Sequence, residues 1–274
     1  MPMKRYRPRF EDRRPEYPDR DDADERKLSL VADVLHHDDA IVVVNKPPYL
    51  SLDVPIEEEA TAIDQLREAG VIGADETPLP AYMLEPRLSG LAVLARSERS
   101  LEALRTQISS GEFDIICLTL VRGRVESAEG VVEQPVRERS RTNPLLMVDA
   151  ETGSPAQTRY RRRDGYVGAA LLECSPRPAD PNIVRVHLQY SGLPLMVDPS
   201  YGGANSLKLS SFKGGYRPSA RHPERPLIER VSMHVAQATF AHPVTGTPVA
   251  FEAAFHRDMK ATLYQLDRYG RAAK

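Results

Sequence analysis

The 274-residue chain has no tryptophan and only two cysteines, Cys117 and Cys174. The missing tryptophan removes one base-stacking residue from consideration. Two cysteines without CxxC or Cys/His spacing exclude a disulfide framework and point to neither a metal site nor a redox motif. No apolar run approaches the roughly 20 residues that a membrane-spanning helix needs. The N-terminus has no signal-peptide core. The expectation is a soluble, cytoplasmic, monomeric protein. An excess of one charge is also lacking: 37 Lys and Arg against 39 Asp and Glu give a net charge of -2. Any role with nucleic acid must therefore come from local clustering.

Two regions cluster charge. Residues 1–28 are rich in Arg, Asp, Glu and Pro and nearly free of aliphatics. Such a segment buries too little apolar surface to offset its ordering entropy, so it reads as a disordered arm. Its basic half carries Lys4, Arg5, Arg7, Arg9, Arg13 and Arg14, with Tyr6 and Phe10 interleaved. RNA-touching arm and solvated mixed-charge tail weigh equally there. The second region, Gly202 to Pro226, is too long for a plain connector. It holds Lys208, Lys213, Arg217, Arg221 and Arg225 against Glu224.

Residues 29–274 read as one globular domain. "AIVVVNKPP" is a buried strand stopped by two prolines. "TAIDQLREAG" predicts a short helix with Thr61 as N-cap and Gly70 as stop. "GLAVLARS" and "IICLTLVRGRV" are strands around an amphipathic helix bearing Leu101, Leu104 and Ile108 on one face. "TRYRRRDGYVGAALLECSPR" predicts a hairpin turning at Asp164-Gly165. Alternation places Arg159, Arg161 and Arg163 on one strand face, either as an RNA-facing stripe or as a charge-protected edge. A helix ending at Gly192, a hairpin near Thr245-Gly246 and a C-terminal helix follow. Strands outnumber helices and hairpins recur, so the fold class is α+β, with a large mixed, mostly antiparallel sheet flanked by helices and loops.

Several segments in order resemble the RluA-type RNA pseudouridine synthases, from about Asp38 to the C-terminus. They are "VVVNKPPYLSLDV", "EPRLSGLAVLARS", "CLTLVRGRV", "GSPAQTRYRRRDGY", "IVRVHLQYSGLPLMVDPSYGG" and "RVSMHVAQATFAHPVTGTPVAFEAAF". The resemblance implies the pseudouridine synthase fold, a structured RNA partner (ribosomal or transfer RNA) and no cofactor. It also implies a uridine flipped out of its stack, a carboxylate that starts the isomerisation, an arginine paired with it, and an aromatic wall for the base. Flipping costs a few kcal/mol, roughly, which stacking and phosphate contacts must offset. An arginine beside the carboxylate keeps it ionised in a dry pocket.

The chain departs from that pattern at the chemistry. Where the family has His-Arg-Leu-Asp, this chain has Tyr82, Met83, Leu84 and Glu85. Glutamate keeps the charge but moves it one methylene outwards, and a misplacement of about 1 Å can cost about a hundredfold. Cys117 stands at the pocket tyrosine. Ala179, Asp180, Pro181, Asn182 and Ile183 replace the Gly-Arg-Thr-His-Gln set, whereas Arg185, His187, Asp198, Tyr201 and Gly202 are in place. Glu85 and Arg185 are the catalytic candidates. Met83, Cys117, Arg159, Arg161, Arg163, Lys208 and Lys213 are the candidates for substrate or RNA contact. Cys117 reads equally as a buried core thiol, and Glu85 as half of a structural ion pair. The combined departures predict impaired or lost catalysis. The alternative function is a non-catalytic RNA folding or assembly factor on the same fold.

Overall fold

The computed structural model describes residues 32–55, 59–217 and 223–271. The N-terminal arm and Arg221 lie outside the described residues. A ten-stranded sheet organises the chain. Its strands are β1 (Asp33–His37), β2 (Ile41–Lys46), β3 (Leu79–Pro80), β4 (Ser89–Ala95), β5 (Asp114–Arg122), β6 (Glu129–Glu133), β9 (Gln157–Tyr166), β10 (Ala169–Arg177), β11 (Met233–Ala241) and β12 (Pro248–Glu252). Their order is β1-β2-β4-β11-β5-β10-β9-β6, with β3 beside β4 and β12 beside β11. A separate hairpin pairs β7 (Val136–Ser140) with β8 (Asn143–Val148). The helices are α1 (Ala62–Glu68), α2 (Glu98–Ser110), α3 (Pro181–Tyr190) and α4 (Arg257–Tyr269).

The mixed, mostly antiparallel sheet is as the sequence predicts. Among the described strand pairings only β4 with β11 is parallel. Every residue of β2 and β4 is buried, as strands covered on both faces require. The two faces separate by alternation along β5. Cys117 and Val121 join the larger core, with Leu104 of α2 and with Val184 and Leu188 of α3. Leu118 and Leu120 point the other way, into a core with Met259, Leu263 and Leu266 of α4. At the parallel pairing the strands approach so closely that a Cβ on Gly90 would lie 2.2 Å from the Val235 carbonyl oxygen. Only glycine fits there, at φ +110°.

Helix ends follow local chemistry. Thr61 caps α1 in a reciprocal box: its hydroxyl accepts the Asp64 N–H while Asp64 accepts the Thr61 N–H at 2.9 Å. The basic hairpin does not turn at Asp164-Gly165. Strand β9 continues to Tyr166, and Val167-Gly168 makes the turn, with Gly168 at φ +72°. Tyr166 buries its ring in the α4 core, and that burial outweighs the local turn preference of Asp-Gly. A bulge absorbs the offset, because Leu171 pairs with Asp164 and Leu172 with Arg162.

Candidate functional site

Glu85 sits in the loop entering β4, and a buried lysine builds that loop. Lys46 is fully buried at the end of β2. Its ammonium donates to the carbonyls of Pro47 and Leu50 at 2.9 Å, Leu88 at 2.7 Å and Pro86 at 3.3 Å. Burial, aided by Arg230, pushes the amine down to about 7, while the ring of carbonyls favours the charged form. The Tyr49 N–H donates to the Pro86 carbonyl at 2.6 Å, and the Leu88 N–H to that of Glu85 at 2.9 Å. Leu84 is buried and Tyr82 donates its hydroxyl to the Leu91 carbonyl at 2.7 Å. The residues on both sides of Glu85 are thus fixed, while its own side chain is 36% exposed.

The partner comes from α3. Pro181 occupies its first turn, and Asp180 caps it by accepting the Asn182 N–H at 2.8 Å. One turn on, Arg185 is buried and uses three edges of its guanidinium. Its Nε and Nη2 donate to Asp198 at 2.7 and 3.0 Å. Its Nη1 donates to Glu85 at 2.8 Å and to the Asn182 side-chain oxygen at 2.8 Å. Its Cζ lies over the Tyr201 ring, 4.8 Å from the ring centre. Burial opposes the charge on Arg185, but the Asp198 and Glu85 carboxylates outweigh it and hold the group protonated.

A further carboxyl crowds this pair. Burial pushes the half-buried Asp180 up to about 6, and the charge of Glu85 adds to that rise. Cys117 lies behind Asp180 with no exposed surface. Burial raises its thiol well above the ordinary range, with Cys174 and Asp180 contributing. Cys117 is therefore a protonated core thiol, opposite Cys174 across β5 and β10, and presents no surface to a base. That corrects its placement among the RNA contacts. Met83 is 54% exposed, two residues before Glu85.

The remaining predicted contacts do not gather around Glu85. Arg161 and Arg163 share the Glu173 carboxylate at 2.8 and 2.6 Å. Glu173 and Arg161 pair across β10 and β9, and neighbouring Cys174 faces the α3 core. The arginines therefore occupy the sheet face opposite α3. Arg159 follows the same alternation and donates to Gln157 at 2.9 Å. The 202–217 stretch folds onto α4: Leu207 is buried with Leu263 and Leu266, and the Lys213 ammonium lies 4.3 Å from the Tyr269 ring centre. Lys208 is exposed on this stretch.

The sequence reading missed the arginine hairpin. Arg139, near the tip of β7, lies over the outer side of the site, 5.7 Å from the Tyr201 ring centre. Arg137 is held by Asp149 at 2.5 Å, and Arg141 is exposed at the turn. The signal was present as Arg137, Arg139 and Arg141 at a spacing of two, one face of a strand. His187 and His234, by contrast, are structural. Each gives Nε2 to a carbonyl, Gln134 at 2.9 Å and Ala253 at 3.2 Å. Each other nitrogen then accepts a hydroxyl, from Thr158 or Ser89. Burial pushes His234 down to about 3.

Human RNA Pseudouridylate Synthase Domain Containing 4 superposes with a TM-score of 0.61 at 16% identity, covering 86% of this chain and 93% of that one. Human RNA Pseudouridylate Synthase Domain Containing 1 gives 0.59, also at 16%, covering 90% and 98%. This is a pseudouridine synthase fold. In sequence, the chain is 27% identical over 245 residues to ribosomal large subunit pseudouridine synthase C of Salmonella typhi, covering 87% of this chain and 71% of that protein. The Escherichia coli (strain K12) protein of the same name is 27% identical over 248 residues, covering 88% and 72%. No family model matches the chain. The resemblance to RluA-type pseudouridine synthases is borne out over most of the sequence, on a scaffold that holds Glu85 against Arg185.

Proposed function

We propose that this protein binds structured RNA, ribosomal or transfer RNA, through the face that carries Glu85, and that it isomerises uridine poorly or not at all. The RNA class is carried by the similarity to ribosomal large subunit pseudouridine synthases. The loss of turnover is carried by one observation: where a flipped base needs an aromatic wall, Cys117 is sealed in the core and the Asp180 carboxyl crowds Glu85. Without that wall, stacking cannot offset the cost of flipping. In this reading Glu85 holds the outer edge of Arg185 as part of a structural ion pair.

A second reading is favoured by the 2.8 Å contact between Glu85 and Arg185. It is an active isomerase in which Glu85 is the carboxylate and Arg185 its partner. Tritium release from C5-tritiated uridine in total cellular RNA separates the two, because forming pseudouridine must expel the C5 hydrogen. No release from RNA that the protein binds is the expected result. Release that Glu85→Ala abolishes would establish the second reading.

A further inference from the structure

Tyr49 is held in a conformation that its side chain resists. Its φ is +70°, and every other described residue at such an angle is a glycine. A bulky residue there is an outlier that persists only where the surroundings over-determine it, and such residues gather at functional sites. The surroundings are on hand. Pro47 and Pro48 precede it, the Lys46 ammonium grips the carbonyls of Pro47 and Leu50, and the Tyr49 N–H is fixed to the Pro86 carbonyl at 2.6 Å. The last bond places Tyr49 against the residue that follows Glu85.

The strain is not compensated by packing of the ring. Tyr49 remains 42% exposed, whereas Tyr82, on the other side of Glu85, is buried and gives its hydroxyl to a carbonyl. Around Tyr49 stand the Glu229 and Asp258 carboxylates and the cations Arg230 and Arg87. Arg230 is buried and paired with Asp258, whereas Arg87 is exposed, its guanidinium anchored to the Glu229 carbonyl at 2.7 Å. An exposed ring on a rigid turn next to an anchored cation is the combination that single-stranded nucleic acid uses: a face for a base and a charge for the neighbouring phosphate.

We propose that Tyr49 is a stacking platform for an unpaired base of the RNA held at the Glu85 face, one nucleotide away from the position at Glu85 itself. This rests on the RNA-binding reading above. It locates the aromatic surface that Cys117 does not provide, outside the pocket rather than within it. Such a contact grips RNA without detaching any base.

The chain contains no tryptophan, so Tyr49→Trp creates a unique fluorescent reporter at the position in question. The full-length protein is titrated with a protein-free large-subunit ribosomal RNA transcript, and binding is read in parallel by filter retention. Quenching of the new indole that saturates with complex formation is expected. Tyr49→Phe should bind as the wild type does. Tyr49→Gly should bind roughly five- to a hundredfold more weakly, the range for loss of one stacked base, with a melting temperature no lower than that of the wild type because glycine relieves the strain. Indole emission unchanged in a complex that filter retention detects overturns the inference, as does wild-type affinity in Tyr49→Gly. A wild type that does not bind the transcript overturns the RNA reading itself, and Tyr49 stacking with it. The wild-type and variant titrations thus report the two failures separately.

Discussion

Arg185 gives two of its three guanidinium nitrogens to Asp198 and the third jointly to Glu85 and Asn182. Asp198 is fully buried, while the Glu85 side chain is 36% exposed. The inner carboxylate neutralises and orients the guanidinium. The outer one meets a cation already held in place. This asymmetry sets the expected cost of removing each.

Asp198→Ala leaves a buried guanidinium without its main counter-charge and should cost about 3–5 kcal/mol. Glu85→Gln keeps the shape and a hydrogen-bond acceptor at a half-exposed position and should cost about 1 kcal/mol or less. Urea unfolding of both variants measures the difference. Equal losses would mean that Glu85, too, is essential to the fold.

Asp180 makes stability depend on pH in a defined direction. Its folded-state value, pushed up to about 6, lies above that of an unfolded aspartate. The folded chain therefore holds this proton more tightly, and the stability it contributes is present below about pH 4 and lost as pH rises through 6. Asp180→Asn keeps a good helix cap and removes the repulsion with Glu85. It should be more stable than the wild type by about 1–2 kcal/mol at pH 8 and nearly equal to it at pH 4. A difference that is the same at both pH values would disprove the coupling.

Lys46 is expected to act as the clamp of the Glu85 loop. Lys46→Met fills the space but takes the lysine donor from the carbonyls of Pro47, Leu50 and Leu88, while that of Pro86 keeps the Tyr49 N–H, at a cost of about 3 kcal/mol or more, since each buried unpaired group costs roughly 1–3 kcal/mol. Hydrogen exchange should show the Leu88 N–H, bonded to the Glu85 carbonyl, losing protection first. Unchanged protection there would show that the prolines alone hold the loop.

The arginine hairpin offers charge on the outer side of the site. Arg139→Ala and Arg141→Ala should each weaken binding to ribosomal RNA evenly across sequences and reduce the salt slope by about one. The same measurement on Arg161→Ala should show a smaller effect, because Arg161 lies on the opposite sheet face and is paired with Glu173. A larger effect at Arg161 would move the RNA to the other side of the sheet.

The apolar strands β2, β4 and β5, and the helix bearing Leu101 and Leu104, were legible because burial imposes periods of 2 and 3.6 on the chain. The pairing of Glu85 with Arg185 was legible only through resemblance, since 100 residues separate them. What escaped reading depended on tertiary context. The hairpin turn moved to Val167-Gly168 because Tyr166 finds a core to enter. In the β7–β8 hairpin, β7 is polar after Val136, and the apolar run Leu145–Val148 of β8 does not alternate, so neither strand shows a period of two. The strain at Tyr49 exists only because Lys46 and Pro86 hold the turn from both sides.

The parallel contact between β4 and β11 joins Ser89 and Gly90 to His234 and Val235, partners 145 residues apart. On the ribosome, the strand that carries the Glu85 loop emerges long before the strand that closes over it. A chain that stops between Asp198 and Met233 carries Glu85, Arg185 and Asp198 and can pair β4 with β2, but it lacks β11, the strand that flanks β4 on its other side. The frame around the Glu85 loop is therefore complete only once β11 has joined β4, a step that waits on the more distant of the two strands.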